Sequence, residues 1–325
     1  MAQIANTTST YDAADGINEE LAQMVMNIDP EETPFVSSIG RGSVKNTYYE
    51  WLTDALAAAS STNFKIEGDD YSSWTAHVGR VRLANYTCIS SKNVIVSGTQ
   101  RAVDNAGVSD ELGYQVAKMG KELRLDMEKI LCGPQAAVAG DDSTARETAG
   151  FEAFIRTNDD RGASGVQATL SGTTKGYPSV DVVDGTQRAY TEVIHKAVNQ
   201  LVWTSGGKAE RVIVGPVNKT KASAFTGIAT QRHEVGNSGP ATIMGAADVY
   251  IGDFGRTYFI PSRLSRERSA MYVDPQHASL VTLRNFELQE IAKTGDADKR
   301  VLVVEYGLKI DVEKAHGIAA DLTTT

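Results

Sequence analysis

One long helical pattern constrains this fold more than any other feature of the sequence. Residues 109–131 place apolar side chains three or four positions apart, and Lys, Arg and Glu cover the rest of the surface. The apolar stripe consists of Leu112, Val116, Met119, Leu123, Met127 and Ile130. Cys132-Gly133-Pro134 ends the helix, because glycine readily adopts the left-handed backbone conformation of a C-terminal cap and proline cannot continue the helix. Such a helix is about 35 Å long, which is long for a compact domain.

Two β-rich segments precede this helix. Residues 45–52 are aromatic and β-forming, and residues 79–89 alternate in strand fashion, interrupted only at Asn85. Small polar residues separate the two segments, so the pattern predicts two long strands joined by a polar tip. An isolated two-stranded ribbon is marginal in water and needs a neighbour, which is a first indication of assembly.

The first 45 residues are polar and cannot build a core of their own. Their one amphipathic stretch, residues 17–28, carries Leu21, Val25 and Ile28 at helical spacing and stops at Asp29-Pro30. We expect a tail, or an arm that lies along another part of the assembly.

The remainder favours an α+β fold. Residues 135–185 are loop-like, and helices are predicted over 186–203 and from Gly215-Pro216, with a short buried strand at 211–214 between them. Beyond residue 247 strands dominate, at 249–251, 257–260, 270–273, 279–283 and 301–312. Helix and sheet are segregated along the chain, which argues against a doubly wound fold.

Composition excludes several functions. The 325 residues carry 32 basic and 41 acidic side chains, a net charge of −9, which disfavours a dedicated nucleic-acid binder. No run of about 18 apolar residues is present, and the N-terminus lacks the features of a secretory signal. Cys88 and Cys132 are too few for a disulfide framework or a zinc site, so we expect reduced, buried thiols in a cytoplasm.

The residues offer little catalytic chemistry. Gly206-Gly207-Lys208-Ala209 lacks the spacing of a phosphate-binding loop, and the aspartate pairs at 141–142 and 159–160 are interpreted as solvated turn residues. The five histidines are scattered: His77, His195, His233, His277 and His316. A hydrolase that pairs a carboxylate with His195 or His316 stays open as an alternative. No catalytic, cofactor-binding or metal-ligating residue is assigned.

Two clusters could contact another subunit. Arg256, Arg263, Arg266 and Arg268 form one basic cluster, for which salt bridges to an acidic neighbouring subunit are favoured over contacts to a nucleic-acid backbone. The aromatic residues Tyr48, Tyr49 and Trp51 are interpreted first as strand packing and second as an interface.

The order of several segments resembles a known family. The segments are Ser109-Asp-Glu-Leu112, Thr148–Ala153, Val214–Lys219, Gly252-Asp-Phe-Gly255, Ile260–Arg263, Asp274-Pro275, Glu290–Glu305 and Glu313–Gly317. In order and spacing, over nearly the whole chain, they resemble the major head (capsid) proteins of tailed bacteriophages that have the Hong Kong 97-type fold.

That resemblance implies an architecture. Residues 1–45 would be the N-terminal arm and residues 46–92 the extended loop, a β-hairpin laid over an adjacent subunit. Residues 93–185 would begin the peripheral domain, with a spine helix at about 108–132. Residues 186–262 would be the axial domain, and residues 263–325 would return to complete the peripheral sheet.

It also implies a function and partners. The chain would assemble in the host cytoplasm, as hexamers and pentamers, into the icosahedral shell of a virion that encloses double-stranded DNA. The partners would be a scaffolding protein, a portal protein at one vertex and a decoration protein. The scaffolding protein would be a separate chain, because no extra N-terminal domain precedes the arm. The wall would face the packaged DNA weakly and non-specifically, and no membrane would be involved. An encapsulin-like cellular compartment stays open as an alternative.

The residues expected at inter-subunit contacts are those of the two clusters together with one lysine near the loop tip. They are Tyr48, Tyr49, Trp51, Lys65, Arg256, Arg263, Arg266 and Arg268. Covalent cross-linking through Lys65 is not inferred, because no matching motif surrounds any asparagine.

Overall fold

The computed structural model describes residues 32–68, 70, 74, 79–103, 108, 110–172, 174–225 and 248–325. The amphipathic stretch at 17–28 and parts of the loop tip lie outside these residues. Helices are α1 (Pro34–Ser38), α2 (Gly98–Ala102), α3 (Glu111–Leu131), α4 (Phe151–Phe154), α5 (Glu192–Thr204) and α6 (Pro216–Ser223). No helix among the described residues is long and apolar enough to span a membrane.

The strands follow in chain order. They are β1 (Gly40–Ser43), β2 (Tyr48–Thr53), β3 (Val81–Tyr86), β4 (Cys88–Ser97), β5 (Asp159–Asp160), β6 (Thr169–Gly172), β7 (Lys175–Val180), β8 (Arg211–Val214), β9 (Val249–Gly252), β10 (Gly255–Pro261), β11 (Ala270–Val273), β12 (Ala278–Ile291), β13 (Ala297–Ile310) and β14 (Gly317–Ala319).

These strands form three sheets. The first, β1-β12-β13-β4, is built on the long antiparallel hairpin of β12 and β13. The second is mixed and six-stranded, in the order β5-β14-β11-β8-β10-β9, and the third is β2-β3-β7-β6. The mixed α+β architecture expected from the sequence is confirmed.

The long helix α3 packs against the first sheet. Leu123 and Met127 of its apolar stripe, together with Leu131, are buried in the same core as Val304 and Tyr306 of β13. Asp110 caps the helix by accepting the backbone N–H of Leu112, and Cys132 ends it. The helix predicted from 109 to 131 is therefore present over Glu111–Leu131, with Ser109 outside the described residues.

A second, smaller core lies apart from the first. Helix α5 and the six-stranded sheet enclose Val198, Val202, Tyr272 and Phe259. Helix α5 begins at Glu192 rather than at Thr186, because the hydroxyl of Thr191 caps it by accepting the N–H of Ile194. The chain just before it is extended, and Arg188 bridges to Leu322.

The interpretation of residues 135–185 as loop was wrong in part. The segment contains α4, the short strand β5, and the hairpin of β6 and β7. This hairpin borders the ribbon formed by β2 and β3, since Leu83 of β3 pairs with Gly176 of β7. The base of the ribbon therefore has its neighbour within the same chain.

The end of the predicted arm belongs to the fold as well. Phe35 and Val36 of α1 are buried, and β1 pairs in parallel with β12. The backbone N–H groups of Phe35 and Val36 donate to the two carboxylate oxygens of Glu128 on α3, each at 2.8 Å. Desolvation raises the pKa of Glu128 above its usual range, while the two N–H donors oppose that shift.

Candidate inter-subunit surfaces

The ribbon of β2 and β3 has one face inside the subunit and one outside. Tyr49 and Trp51 point inward and are buried with Phe154 in the main core. Tyr48 lies on the outer face, opposite Tyr86 in the antiparallel register. Of the aromatic cluster named from the sequence, two residues are thus core residues of this subunit, and only Tyr48 retains exposed surface for a neighbour.

Three half-buried tyrosines from different strands meet on that outer face. The ring centroid of Tyr86 lies 4.9 Å from that of Tyr48 and 5.1 Å from that of Tyr177 on β7. Tyrosines of this kind offer large, rigid contact area together with a hydroxyl group, and they are enriched at protein interfaces. The sequence analysis missed Tyr86 and Tyr177, because sequence order does not reveal which strands become neighbours.

The root of the ribbon is anchored by buried hydrogen bonds. The Asn85 amide donates to the carbonyl of Leu308 at 2.8 Å and to the Thr148 hydroxyl at 3.0 Å, and it accepts the N–H of Ala149. The Tyr49 hydroxyl also donates to the Leu308 carbonyl, at 2.7 Å. The break in strand alternation at Asn85 was the sequence signal for this anchor, which holds the ribbon at a fixed place on β13.

Beyond its root the ribbon leaves the body of the subunit. Residues 54–68 are exposed throughout, including Lys65. Large apolar side chains are exposed in this tip: Leu56 is fully accessible, Phe64 is 86% exposed, Ile66 83% and Trp74 88%. Exposed apolar groups at this density mark a surface that binds another molecule.

A second exposed apolar surface lies on the hairpin of β9 and β10. Val249 and Ile251 face outward opposite Tyr258 and Arg256, while Tyr250 and Phe259 face the smaller core. Beside it, the ring of Trp203 on α5 lies 5.3 Å from that of Phe254 in the hairpin turn, and both rings are partly exposed. Arg256 is exposed on this surface and makes no salt bridge within the described residues.

Two of the four arginines in the basic cluster form salt bridges within the subunit. Arg266 forms salt bridges with Glu152 and Asp184, and Arg268 forms them with Asp184 and Asp321. These two arginines therefore pair with acids of their own chain, where the sequence predicted an acidic neighbouring subunit. The partners lie 53 to 114 positions away in the sequence, so local pattern could not identify them.

The aspartates at 159–160 are structural rather than solvated. Both lie in β5, and the side chain of Asp159 is buried beside Arg161, which also binds Glu152. Burial raises the pKa of Asp159 to about 6, although Arg161 pulls it down. Asp141, in contrast, is the exposed turn residue expected: it accepts hydrogen bonds from Ser143 and Thr144, which lower its pKa to about 2.

The two histidines of the hydrolase alternative are buried, and neither ring forms a hydrogen bond with a carboxylate of the described residues. His195 lies among Tyr190, Tyr272 and Phe259, and burial lowers its pKa to about 4. The Nδ1 atom of His316 accepts the N–H of Asp274 at 3.1 Å, and burial lowers the pKa of this ring to about 4 as well. Each is neutral at pH 7 and packs a core.

Within the described residues, the thiols and carboxylates form no metal-binding cluster or activated thiol. Cys88 and Cys132 are free and buried, and burial raises the pKa of Cys88 to about 11. Over the described part of the chain, no group of three or more His, Cys, Asp or Glu side chains could hold a metal ion. The surfaces that distinguish this chain are the ribbon and the hairpin of β9 and β10, which we call the outer hairpin.

Solved structures share this fold. The capsid asymmetric unit of cyanophage A-1(L) superimposes with a TM-score of 0.64 at 11% identity, covering 98% of this chain and 100% of that one. The encapsulin of the holo-SrpI complex from Synechococcus elongatus superimposes with a TM-score of 0.56 at 10% identity, covering 98% and 97%. At these identities the likeness shows the fold alone, which is the mixed α+β fold of Hong Kong 97-type shell proteins.

Sequence comparison identifies the family. The chain is 27% identical over 347 aligned positions to the major capsid protein of Escherichia phage Phieco32, with 95% of each chain covered. The model of the SU10 major capsid protein family matches residues 3–323. Because that match spans nearly all of its length, the chain belongs to the SU10 major capsid protein family.

Proposed function

We propose that this major capsid protein assembles as hexamers and pentamers into the icosahedral head of a tailed phage, which encloses double-stranded DNA. The observation that carries the proposal is the ribbon, whose tip holds exposed Leu56, Phe64 and Ile66 away from its own subunit. In an isolated chain these apolar side chains stay exposed to solvent and contribute nothing to its stability. A shell in which each tip lies on the next subunit buries it.

The domain roles follow from the same proposal. Residues 46–92 serve as the extended loop, with its root on β13 and its tip on a neighbour. Residues 93–185 and 263–325, which carry α3 and most of the first sheet, form the peripheral domain. Residues 186–262, which carry most of the smaller core, form the axial domain, whose hairpin of β9 and β10 with Tyr258 and Arg256 faces other subunits. The arm contributes contacts from residues 1–33, since α1 and β1 pack on the body.

The hydrolase alternative is wrong. The family and the curated relative are structural capsid proteins, so this chain is not an enzyme. The encapsulin alternative has weaker support, since its likeness is limited to the fold at 10% identity. A gene neighbourhood that encodes a portal protein and a terminase supports the phage head, whereas a cargo enzyme beside the gene supports the compartment.

The partners and the location complete the proposal. A separate scaffolding protein guides assembly in the host cytoplasm, a portal protein occupies one vertex, and a decoration protein binds the finished shell. The net charge of −9 suits a wall that contacts packaged DNA weakly and does not trap it.

A pair of charged substitutions in the ribbon tip tests the proposal. We expect Phe64→Asp with Ile66→Asp to leave the melting temperature of the free subunit unchanged, because both side chains are exposed there. Assembly should be lost, because two buried, unpaired charges would lie at each inter-subunit contact. Electron microscopy and size-exclusion chromatography provide the readout.

The matched control places the same charges in the same segment. Ser60→Asp with Thr62→Asp adds two carboxylates at exposed polar positions of the tip. Shells from the control but not from the apolar pair support the ribbon contact. Normal shells from both variants would contradict it.

A further inference from the structure

A groove lined by basic side chains, called here the basic groove, lies at the C-terminal end of α3. It is open, has a volume of about 800 Å³, and runs between the end of α3, the start of β4 and the loop that follows β10. Ile89, Ile130 and Leu264 supply apolar lining. That volume falls within the range of sites that bind ligands or peptide side chains.

The groove carries positive charge that the subunit leaves unbalanced. Lys129 and Arg263 line it, are exposed, and make no salt bridge among the described residues. Arg146 and Arg266 also line it, but they bind Glu305 and Glu152 respectively. Glu147 is the one carboxylate on the lining. An acidic, amphipathic occupant would therefore find both an apolar floor and free cations.

The described chain begins at the edge of this groove. Glu32 and Pro34 line a small cleft together with Arg263 and Leu264, the same two residues that form a wall of the groove. The entry point is fixed, because Glu128 holds the N–H groups of Phe35 and Val36. The residues that precede Glu32 therefore start within a few residues' reach of the groove.

Those preceding residues have the complementary chemistry. Seven acidic residues and no basic residue come before Arg41: Asp12, Asp15, Glu19, Glu20, Asp29, Glu31 and Glu32. The amphipathic stretch at 17–28 adds Leu21, Val25 and Ile28 at helical spacing. Acidic side chains with one apolar stripe match a groove that has free cations around an apolar floor.

We infer that residues 17–28 of the free subunit bind the basic groove of that same subunit. The apolar stripe packs on Ile89, Ile130 and Leu264, and the carboxylates pair with Lys129 and Arg263. The short connection through Asp29-Pro30 favours the groove of the same chain, because a short tether gives a millimolar effective concentration.

Hydrogen exchange on the dilute, full-length subunit tests this contact. We expect the amides of residues 17–28 to exchange more slowly than an unstructured peptide. Arg263→Glu and Lys129→Glu should each reduce that protection by about two- to fivefold, the scale of one lost exposed ion pair. High salt should act in the same direction. Circular dichroism and thermal melting show that each variant is folded, which these exposed positions allow.

Arg256→Glu is the matched control. Arg256 is an exposed arginine without a salt bridge, and it lies on the β9–β10 hairpin outside the groove lining. The control should leave protection of 17–28 unchanged. Intrinsic exchange rates in the wild type, or equal effects of Arg263→Glu and Arg256→Glu, would overturn the inference. Protection that vanishes on dilution would assign the groove to another copy and would overturn it too, whatever the result for shell assembly.

Discussion

Two buried histidines make the folded subunit sensitive to acid. Burial lowers the pKa values of His195 and His316 to about 4, against an ordinary value of 6.5, so the unfolded chain binds protons that the folded chain does not. Their contribution to stability is complete above pH 6.5 and is lost as the pH falls towards 4. Each histidine should lose about 1 kcal/mol for each pH unit in that window.

A histidine substitution isolates this effect. Asp159 acts in the opposite sense. Because its pKa is raised to about 6, its contribution to the free energy of unfolding is lost as the pH rises. We therefore expect His316→Gln to be less destabilised relative to the wild type at pH 5 than at pH 7.5, as measured by urea unfolding. Asn93→Gln, which exchanges one exposed, non-titrating side chain of β4 for another, is the control and should show the same small change at both pH values. An equal deficit for His316→Gln at both pH values would contradict the account.

At the scale of elements, the ribbon depends on one buried amide. Asn85 makes three hydrogen bonds that join β3 to β13 and to the segment before α4. Asn85→Ala leaves the Leu308 carbonyl with Tyr49 alone and the Ala149 N–H without a partner. Because unpaired buried groups cost about 1–3 kcal/mol each, we expect a loss of about 3 kcal/mol in unfolding free energy.

The same substitution should loosen the ribbon specifically. Amides of β2 and β3 should exchange faster in Asn85→Ala. Amides of α5 should lose only as much protection as the fall in the global free energy of unfolding explains. Asn93→Ala, at an exposed position of β4, serves as the control and should change stability by less than about 0.5 kcal/mol. A loss for Asn85→Ala no larger than for Asn93→Ala would show that the amide does not anchor the ribbon.

Elements with strong periodicity could be predicted, and those without it could not. Helix α3 was evident because its apolar residues recur at helical spacing, and strands β9 and β10 were evident because short apolar runs flank Gly252-Asp-Phe-Gly255. The hairpin of β6 and β7 was missed, because its strands contain Gly, Ser, Thr and Pro and bury little beyond Leu170 and Pro178. Its strands form in this context because they pair with each other and lie beside β3.

At the scale of the whole molecule, long-range pairing decided what the sequence could reveal of the candidate surfaces. The sequence identified the arginine cluster, but it could not show that Arg266 and Arg268 bind Glu152, Asp184 and Asp321 of their own chain. It identified Tyr48 but not its neighbours Tyr86 and Tyr177. The pairing of the ribbon's two strands was predicted correctly, because strand patterns are local features. The expectation of a polar tip missed the exposed apolar side chains of Leu56, Phe64 and Ile66.

The central claim is that this chain closes into a shell through contacts made by its ribbon and its outer hairpin. Negative-stain electron microscopy of the purified protein, with size-exclusion chromatography of the same sample, tests it most directly. We predict rings, sheets or closed shells, either from the protein alone or when the phage scaffolding protein is co-expressed. A uniform species near the 34.9 kDa of one chain, or near twice that mass, that persists with the scaffolding protein present would contradict the account.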